Sequence, residues 1–465
     1  MDMARAWTED LAARRAFDLD VSEQEALTRL LVDALSIASA GAQAEGVRET
    51  VAALAGLGEG EVPVPWTDLQ LDVPQAGLAM SALIHAWDFD DTHDEAVVHT
   101  SAVALPAALA VGLREGRSGA DVLDGFVVGV QVLARLSRLV GPQHGMIRTA
   151  GLGALAAAAA AARTLGLTPE QLGHAVSLVL PSAGSRHSRQ VVADSATNKR
   201  LQPGLAVQAG ITAAYLARAG VSGPVGWLDG EYGIASLAAT EPDLDVLLAP
   251  GWEGARLSLK PYPACRYTHS AITATSRALA SLPAGATVDR AEVHVPSGAG
   301  YAMVSRPFAR RGAPIVDAQF SIPWLVAAHV VTGRLDLRTV AGPDLLDPEV
   351  EALATRVVVH QDQPETSEMV PATVDLHTAD GLTVSGTAPM LGSPQEPMDD
   401  ALLAAKAAGC FAVAGVDPVA GLAAVRDVVG SLADVPRGGL DAALAGLATP
   451  NPFRTTTQET AWTSA

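Results

Sequence analysis

One short stretch of this chain crowds together residues that could move protons. His85-Ala86-Trp87-Asp88-Phe89-Asp90-Asp91-Thr92-His93-Asp94-Glu95, with His99-Thr100-Ser101 just behind, sets carboxylates beside imidazoles between apolar segments. Such groups shift one another's pKa values, which is how a general acid or base is tuned toward neutral pH. If the stretch begins as a helix, His85, Asp88 and Thr92 share a face by their three-and-four spacing. A solvated helix end is the bland alternative. Asp and His at these spacings can also ligate a hard metal, but the HExxH and DxDxDG patterns are missing and no metal is expected.

Two basic loops complement this acidic cluster. Asn198-Lys199-Arg200-Leu201-Gln202-Pro203-Gly204 precedes an apolar helix, and a helix start with cations nearby suits a carboxylate. Ser258-Leu259-Lys260-Pro261-Tyr262-Pro263-Ala264-Cys265-Arg266 is stiffened by two prolines and presents Lys260, Cys265 and Arg266. Lysine occurs only at 199, 260 and 406, arginine carrying the rest of the positive charge. Two of three lysines in such loops point to places where a compact, movable ammonium is wanted. His144 and Arg148, in the loop before a long Ala-rich segment, are candidates for the same pocket; His187 and Arg189 are weaker candidates and read as exposed.

The elements that must position these groups are mostly helices. Ser22-Glu23-Gln24-Glu25 reads as a capping box, followed by Ala26, Leu27, Leu30, Leu31, Ala34, Leu35 and Ala38 on one face. Thr168-Pro169-Glu170-Gln171 opens another helix; Leu152–Ala162 is apolar all round and reads as a central helix; Ala206–Ala219 is similar. The pattern changes near residue 285. Val293 and Val295 alternate with polar residues, Val357–Val359 is β-branched, and 373–377 faces 382–385 across Ala379-Asp380-Gly381 as a hairpin. Helices are expected at 318–331 and 348–355. Pro/Gly-rich joints at 283–285 and 393–397 bound this part, and helical patterns resume at 399–410 and 418–432. The fold class expected is therefore mainly α: a large all-helical domain from both chain ends (1–267 and 398–465) with an inserted smaller α+β lid (268–397). The threonine-rich tail after Pro452 reads as frayed.

A formal net charge of −20 repels phosphate backbones and anionic bilayers, so neither nucleic acid nor membrane is expected as a partner. The longest small apolar run, 150–162, stops at Arg163, short of the ~20 residues that span a bilayer. Two cysteines make no disulfide framework, and acids stand where a signal peptide needs an apolar stretch, so a cytoplasmic protein is expected.

Five ordered segments carry a resemblance: His-Ala-Trp-Asp-Phe-Asp-Asp-Thr, Gly-Leu-Gly-Ala-Leu-Ala-Ala-Ala, Lys-Arg-Leu-Gln-Pro-Gly, Lys-Pro-Tyr-Pro-Ala-Cys-Arg-Tyr-Thr-His and Asp-Ala-Gln-Phe-Ser-Ile-Pro-Trp. From about residue 20 to 430 the chain resembles the MmgE/PrpD family, which contains 2-methylcitrate dehydratase, cis-aconitate decarboxylase and iminodisuccinate epimerase. The resemblance implies a helical domain with an α+β lid, a homodimer, and chemistry next to a carboxylate without metal or organic cofactor. Its active-site positions fall on Asp88, Thr92, His99 and Lys199, with Lys260 in the third loop. The chain departs from the family at Gln202, where members often carry histidine, and at Cys265, where the decarboxylase branch does. The histidine before the Gly-Leu-Gly helix is displaced, leaving His144 or Met146 and Ile147, and the tyrosine expected before the Arg-Pro of the lid is not matched, Tyr301 lying a little early and Met303 nearer. These departures point away from decarboxylation of cis-aconitate.

The expected activity is thus a cofactor-independent lyase of dehydratase type on a small di- or tricarboxylate. Asp88, Thr92, His99, Lys199 and Lys260 are the candidate catalytic residues. His144, Arg148, Arg200, Gln202, Cys265 and Arg266 are the candidate substrate-binding residues, in a pocket between helical domain and lid. An epimerase or isomerase using the same proton abstraction is the alternative, as is a family member recruited to a biosynthetic pathway.

Overall fold

The structure, a computed structural model, describes residues 3–447 apart from 59, 186 and 367; the tail after Pro452 lies outside the described residues. Helices account for 58% of the chain and strands form only small sheets, so the fold is mainly α.

The Ala-rich segment lies at the centre. The helix Arg148–Leu165 is sheathed by Ser101–Arg114, Gly119–Val140 and Gln202–Arg218, and Ala156 through Ala162 are all fully buried. Small side chains permit this closeness: a Cβ placed on Gly210 would stand 2.6 Å from both the Ala157 Cβ and the Ala158 amide. Packing at that distance fills the interior without voids. The helix Val21–Gly41 starts earlier than the sequence reading has it. Asp20, not Ser22, is its cap, accepting from the Glu23 amide at 2.9 Å while the Glu23 carboxylate takes the Asp20 amide. Aspartate and serine cap about equally well, and Ser22 instead donates to Asp20. The helices Asp400–Ala414 and Pro418–Ser431 return from the far end of the chain to pack against Val21–Gly41. Among the described residues no single helix is long and apolar enough to cross a membrane.

Between residues 288 and 388 lies a four-stranded sheet, ordered Val357–Gln363, Val288–Pro296, Ala372–Thr378, Thr383–Ala388. Its first pair is parallel and the rest antiparallel, the last two forming the expected hairpin. The helix His269–Ala280 packs on its hairpin edge. The single helix expected over 318–331 is in fact two, Pro314–Gln319 and Ile322–Thr332. Ser321 breaks it by capping the second, accepting from the Trp324 amide ahead of Pro323.

Candidate active site

The helix Val73–His85 ends on the histidine, so His85, Asp88 and Thr92 do not share a helical face as expected. Asp88 has φ +51° and Thr92 lies in a two-residue strand paired with Leu257–Ser258. Left-handed backbone costs a non-glycine residue energy, though aspartate tolerates it better than most. Three buried side chains from distant segments hold the turn by its carbonyls. Gln319 donates to Trp87 O at 2.6 Å, Lys260 to Asp88 O at 2.8 Å and Lys406 to Phe89 O at 2.8 Å. Asp91 then closes the segment by accepting from the Thr100 and Ser101 amides at the start of the next helix.

Inside this frame stands a chain of proton-carrying groups. His85 Nδ1 is 2.9 Å from Asp90 Oδ2, and its Nε2 is 2.6 Å from Lys199 Nζ. Burial, with the Lys199 charge adding to it, holds the His85 imidazole well below its ordinary pKa, so the ring is neutral. The hydrogen bonds then assign its tautomer: Nδ1–H donates to Asp90, and the Nε2 lone pair accepts from Lys199. Burial also lowers the Lys199 ammonium, against the pull of Asp88.

Asp88 behaves oppositely. Burial pushes its carboxyl up, but Lys199 and Lys260 outweigh that and hold it well below the carboxylate range. Lys260 Nζ lies 2.9 Å from its Oδ1 and Lys199 Nζ 3.9 Å; Oδ2 has no partner. His99 completes the group, its ring edge-on to His85 at 4.8 Å. Its Nδ1–H donates to Asp91 O at 2.9 Å, which leaves Nε2 a lone pair, 3.7 Å from Asp88 Oδ1. Burial first, and Lys260 with His85 after it, lowers this imidazole to about 3 against the opposing pull of Asp90 and Asp88.

These groups face a cavity of about 450 Å³ lined from both sides of residue 268. Asp88, Thr92, His99, Arg148, Lys199, Cys265 and Arg266 of the expected site reach it. Thr92 Oγ1 is buried there without a hydrogen-bond partner. Arg148 is a buried cation that donates to Ser137 O at 3.2 Å, and burial brings it down to about 10. Cys265 is held up near 12 by burial and then by Asp88, so it is a neutral thiol and no nucleophile.

Five assignments need correction. Lys260 does not line the cavity; it stands behind Asp88 and fixes it. Arg200 is fully buried and spends its guanidinium on Gln319, the residue that holds Trp87 O. Gln202 donates to Ser188 O, and His144 is an exposed loop residue; neither faces the cavity. Arg266 does face it, but its guanidinium is taken by Asp94 in a bidentate pair at 2.8 and 2.9 Å and by Leu391 O. Conversely Arg189, read as exposed, is half-buried in the cavity wall. His85 and Asp90 belong to the crowded stretch but not to the expected catalytic or binding residues; the signal for His85 is that it is the only titratable residue of an otherwise apolar helix.

His85, Asp88, Asp90 and His99 offer ligand atoms within 4.8 Å of one another, a spacing a metal ion would accept. The fit is poor on charge, because Lys199 and Lys260 already stand against Asp88 and a divalent cation would have to displace them.

Comparison with known proteins bears on the same residues. The model of the MmgE/PrpD N-terminal domain matches residues 9–247 and that of the MmgE/PrpD C-terminal domain residues 262–422. Cis-aconitate decarboxylase of Homo sapiens is 27% identical over 62% of this chain and 62% of its own length. The enzyme of that name from Aspergillus terreus is 26% identical over 62% of this chain and 64% of its own length, and that of Mus musculus 26% over 68% and 67%. The chain thus spans less than two thirds of the human and A. terreus relatives.

Proposed function

The chain belongs to the MmgE/PrpD family, and from that premise we propose a lyase that acts on a small carboxylate at the carbon next to a carboxylate group. The observation that carries this reading is the placement of a neutral imidazole and an amine relay around one ionised aspartate. His99 Nε2 is the base: it takes the proton from the substrate carbon, leaving the electron pair in an enediolate. Lys199, Arg148 and Arg189 supply the positive charge that stabilises it. In the dehydratase form of the reaction that pair forms the double bond as the neighbouring hydroxyl departs. Lys199, made more acidic by burial, gives the departing oxygen its proton, and His85 with Asp90 steadies the amine left behind. Lys199 with Arg148 and Arg189 provides the positive charge a metal would otherwise bring, so this reading needs no cofactor. A homodimer, as the family resemblance implies, and a cytoplasmic location are part of the same proposal.

Decarboxylation is the second reading, favoured by the names of the relatives. There the carbon–carbon bond breaks to release CO₂, its electron pair stays on the substrate carbon, and Lys199 protonates that carbon. Proton NMR in D₂O with a panel of small dicarboxylates and tricarboxylates, 2-methylcitrate, citrate and cis-aconitate among them, and with iminodisuccinate, separates the outcomes. A new alkene without carbon loss marks the dehydratase, loss of CO₂ the decarboxylase, and deuterium at an inverted carbon the epimerase. Absence of exchange and product with every dicarboxylate and tricarboxylate tried would overturn the proposal.

A further inference from the structure

The cavity is larger and more apolar than its charged floor requires. Its volume of about 450 Å³ falls in the range that houses drug-sized ligands, well beyond what a small acid fills. Val97, Met146, Ile147, Met303, Phe320 and Met369 contribute apolar wall. Three of the chain's eight methionines stand there, and methionine is the side chain that moulds to irregular apolar shapes. The cations available to a ligand are few. Arg266 is occupied by Asp94, and Lys199 by His85 and Asp88 at the reaction centre. That leaves Arg148 and Arg189, the latter with a buried Nε that has no partner. Toward solvent the wall carries an exposed carboxylate, Glu365, which repels a further anion.

We propose that the substrate carries two carboxylates and an apolar arm, the carboxylates anchored by Arg148 and Arg189 and the arm lying along Met303 and Met369. The inference rests on the reading of this cavity as a carboxylate site and adds to it what the rest of the ligand is. A third carboxylate would find no cation left to pair it, only neutral donors such as Thr92 and Thr366 beside the apolar wall and Glu365, so burying its charge there costs more than it returns.

Isothermal titration calorimetry on the full chain tests it with three unreactive probes: succinate, 2-butylsuccinate and propane-1,2,3-tricarboxylate. Each buried methylene adds about fourfold in affinity, so butylsuccinate should bind at least tenfold tighter than succinate, and the tricarboxylate no tighter than succinate. Met303→Gln and, separately, Met369→Gln should each shrink the butylsuccinate-to-succinate ratio several-fold. A ratio near one in the wild-type chain, or tightest binding by the tricarboxylate, overturns the inference while leaving the carboxylate site standing. Binding of none of the three overturns the carboxylate reading itself, and the inference with it.

Discussion

Lys199 Nζ and His85 Nε2 stand 2.6 Å apart, with Asp90 on the far side of the ring, so the amine at the cavity is backed by a neutral imidazole and a carboxylate. Lys199 therefore faces the cavity on one side and a buried acceptor chain on the other. Replacing it by methionine keeps the volume and leaves Asp88 its closer partner, Lys260. Lys199→Met should lower kcat by about 10²–10⁴-fold, the range for loss of a general acid, with an unchanged circular dichroism spectrum. Lys199→Arg should not rescue it, because guanidinium does not give up a proton near neutral pH. Steady-state kinetics showing near-normal turnover in either variant would remove Lys199 from the chemistry.

His99 gives a pH signature with a definite sign. In the free protein its pKa is brought down to about 3, mainly by burial. Dianionic substrate beside it favours the charged ring and raises that value. Since kcat/KM reports the free enzyme and kcat the complex, the acid limb of kcat should lie at higher pH than that of kcat/KM. Folding stability follows as well. The unfolded ring, with a pKa of about 6.5, binds its proton first, so the His99 contribution falls away as pH drops from about 6.5 toward about 3. His99→Gln should lower kcat by about 10²–10⁴-fold, as loss of a general base does, and make the stability profile in that window shallower, with His85 and His269, also held down by burial, still contributing; pH–rate and pH–denaturation curves of the two proteins check both.

Much of this was legible in the sequence, and the failures share a cause. Periodicity found the buried Ala-rich helix and the hairpin because both patterns are local. The density of His and Asp over 85–101 marked the site for the same reason. What residue types could not give was direction. Arg200 and Arg266 sit in basic loops and look like anion binders, yet one bonds Gln319 and the other Asp94, residues 119 and 172 positions away. Arg189 read as exposed because its neighbours are polar, and the fold turns it into the cavity wall. The scarcity of lysine was a better guide than the loops: all three are buried and all three end on residues 85–89.

Lys406 makes that last relation testable. It ties Asp33 at 2.7 Å to the Phe89 carbonyl at 2.8 Å, joining the helix Asp400–Ala414 to Val21–Gly41 and to the active-site turn. The Lys406 ammonium also lies 4.2 Å from the Phe89 ring centre. Lys406→Met strands a buried carboxylate and should cost about 3–5 kcal/mol in urea denaturation. Adding Asp33→Leu removes the stranded charge and should recover a good part of the loss. Equal stabilities for the single and double variants would show that the pair is not coupled.

Arg148 and Arg266 separate binding from support. Both are buried cations at one cavity, but Arg148 has no carboxylate pairing it among the described residues, whereas Arg266 forms a bidentate pair with Asp94. Arg148→Gln should therefore act on the ligand, raising KM at least tenfold. The melting temperature should stay close to that of the parent, since burial already works against its charge. Arg266→Gln should act on the fold, leaving Asp94 without its partner at a cost of about 2 kcal/mol. Its effect on KM should be the smaller of the two. Kinetics and thermal melts on the same two preparations decide the matter: if Arg266→Gln raises KM more than Arg148→Gln does, the anchor has been placed on the wrong arginine.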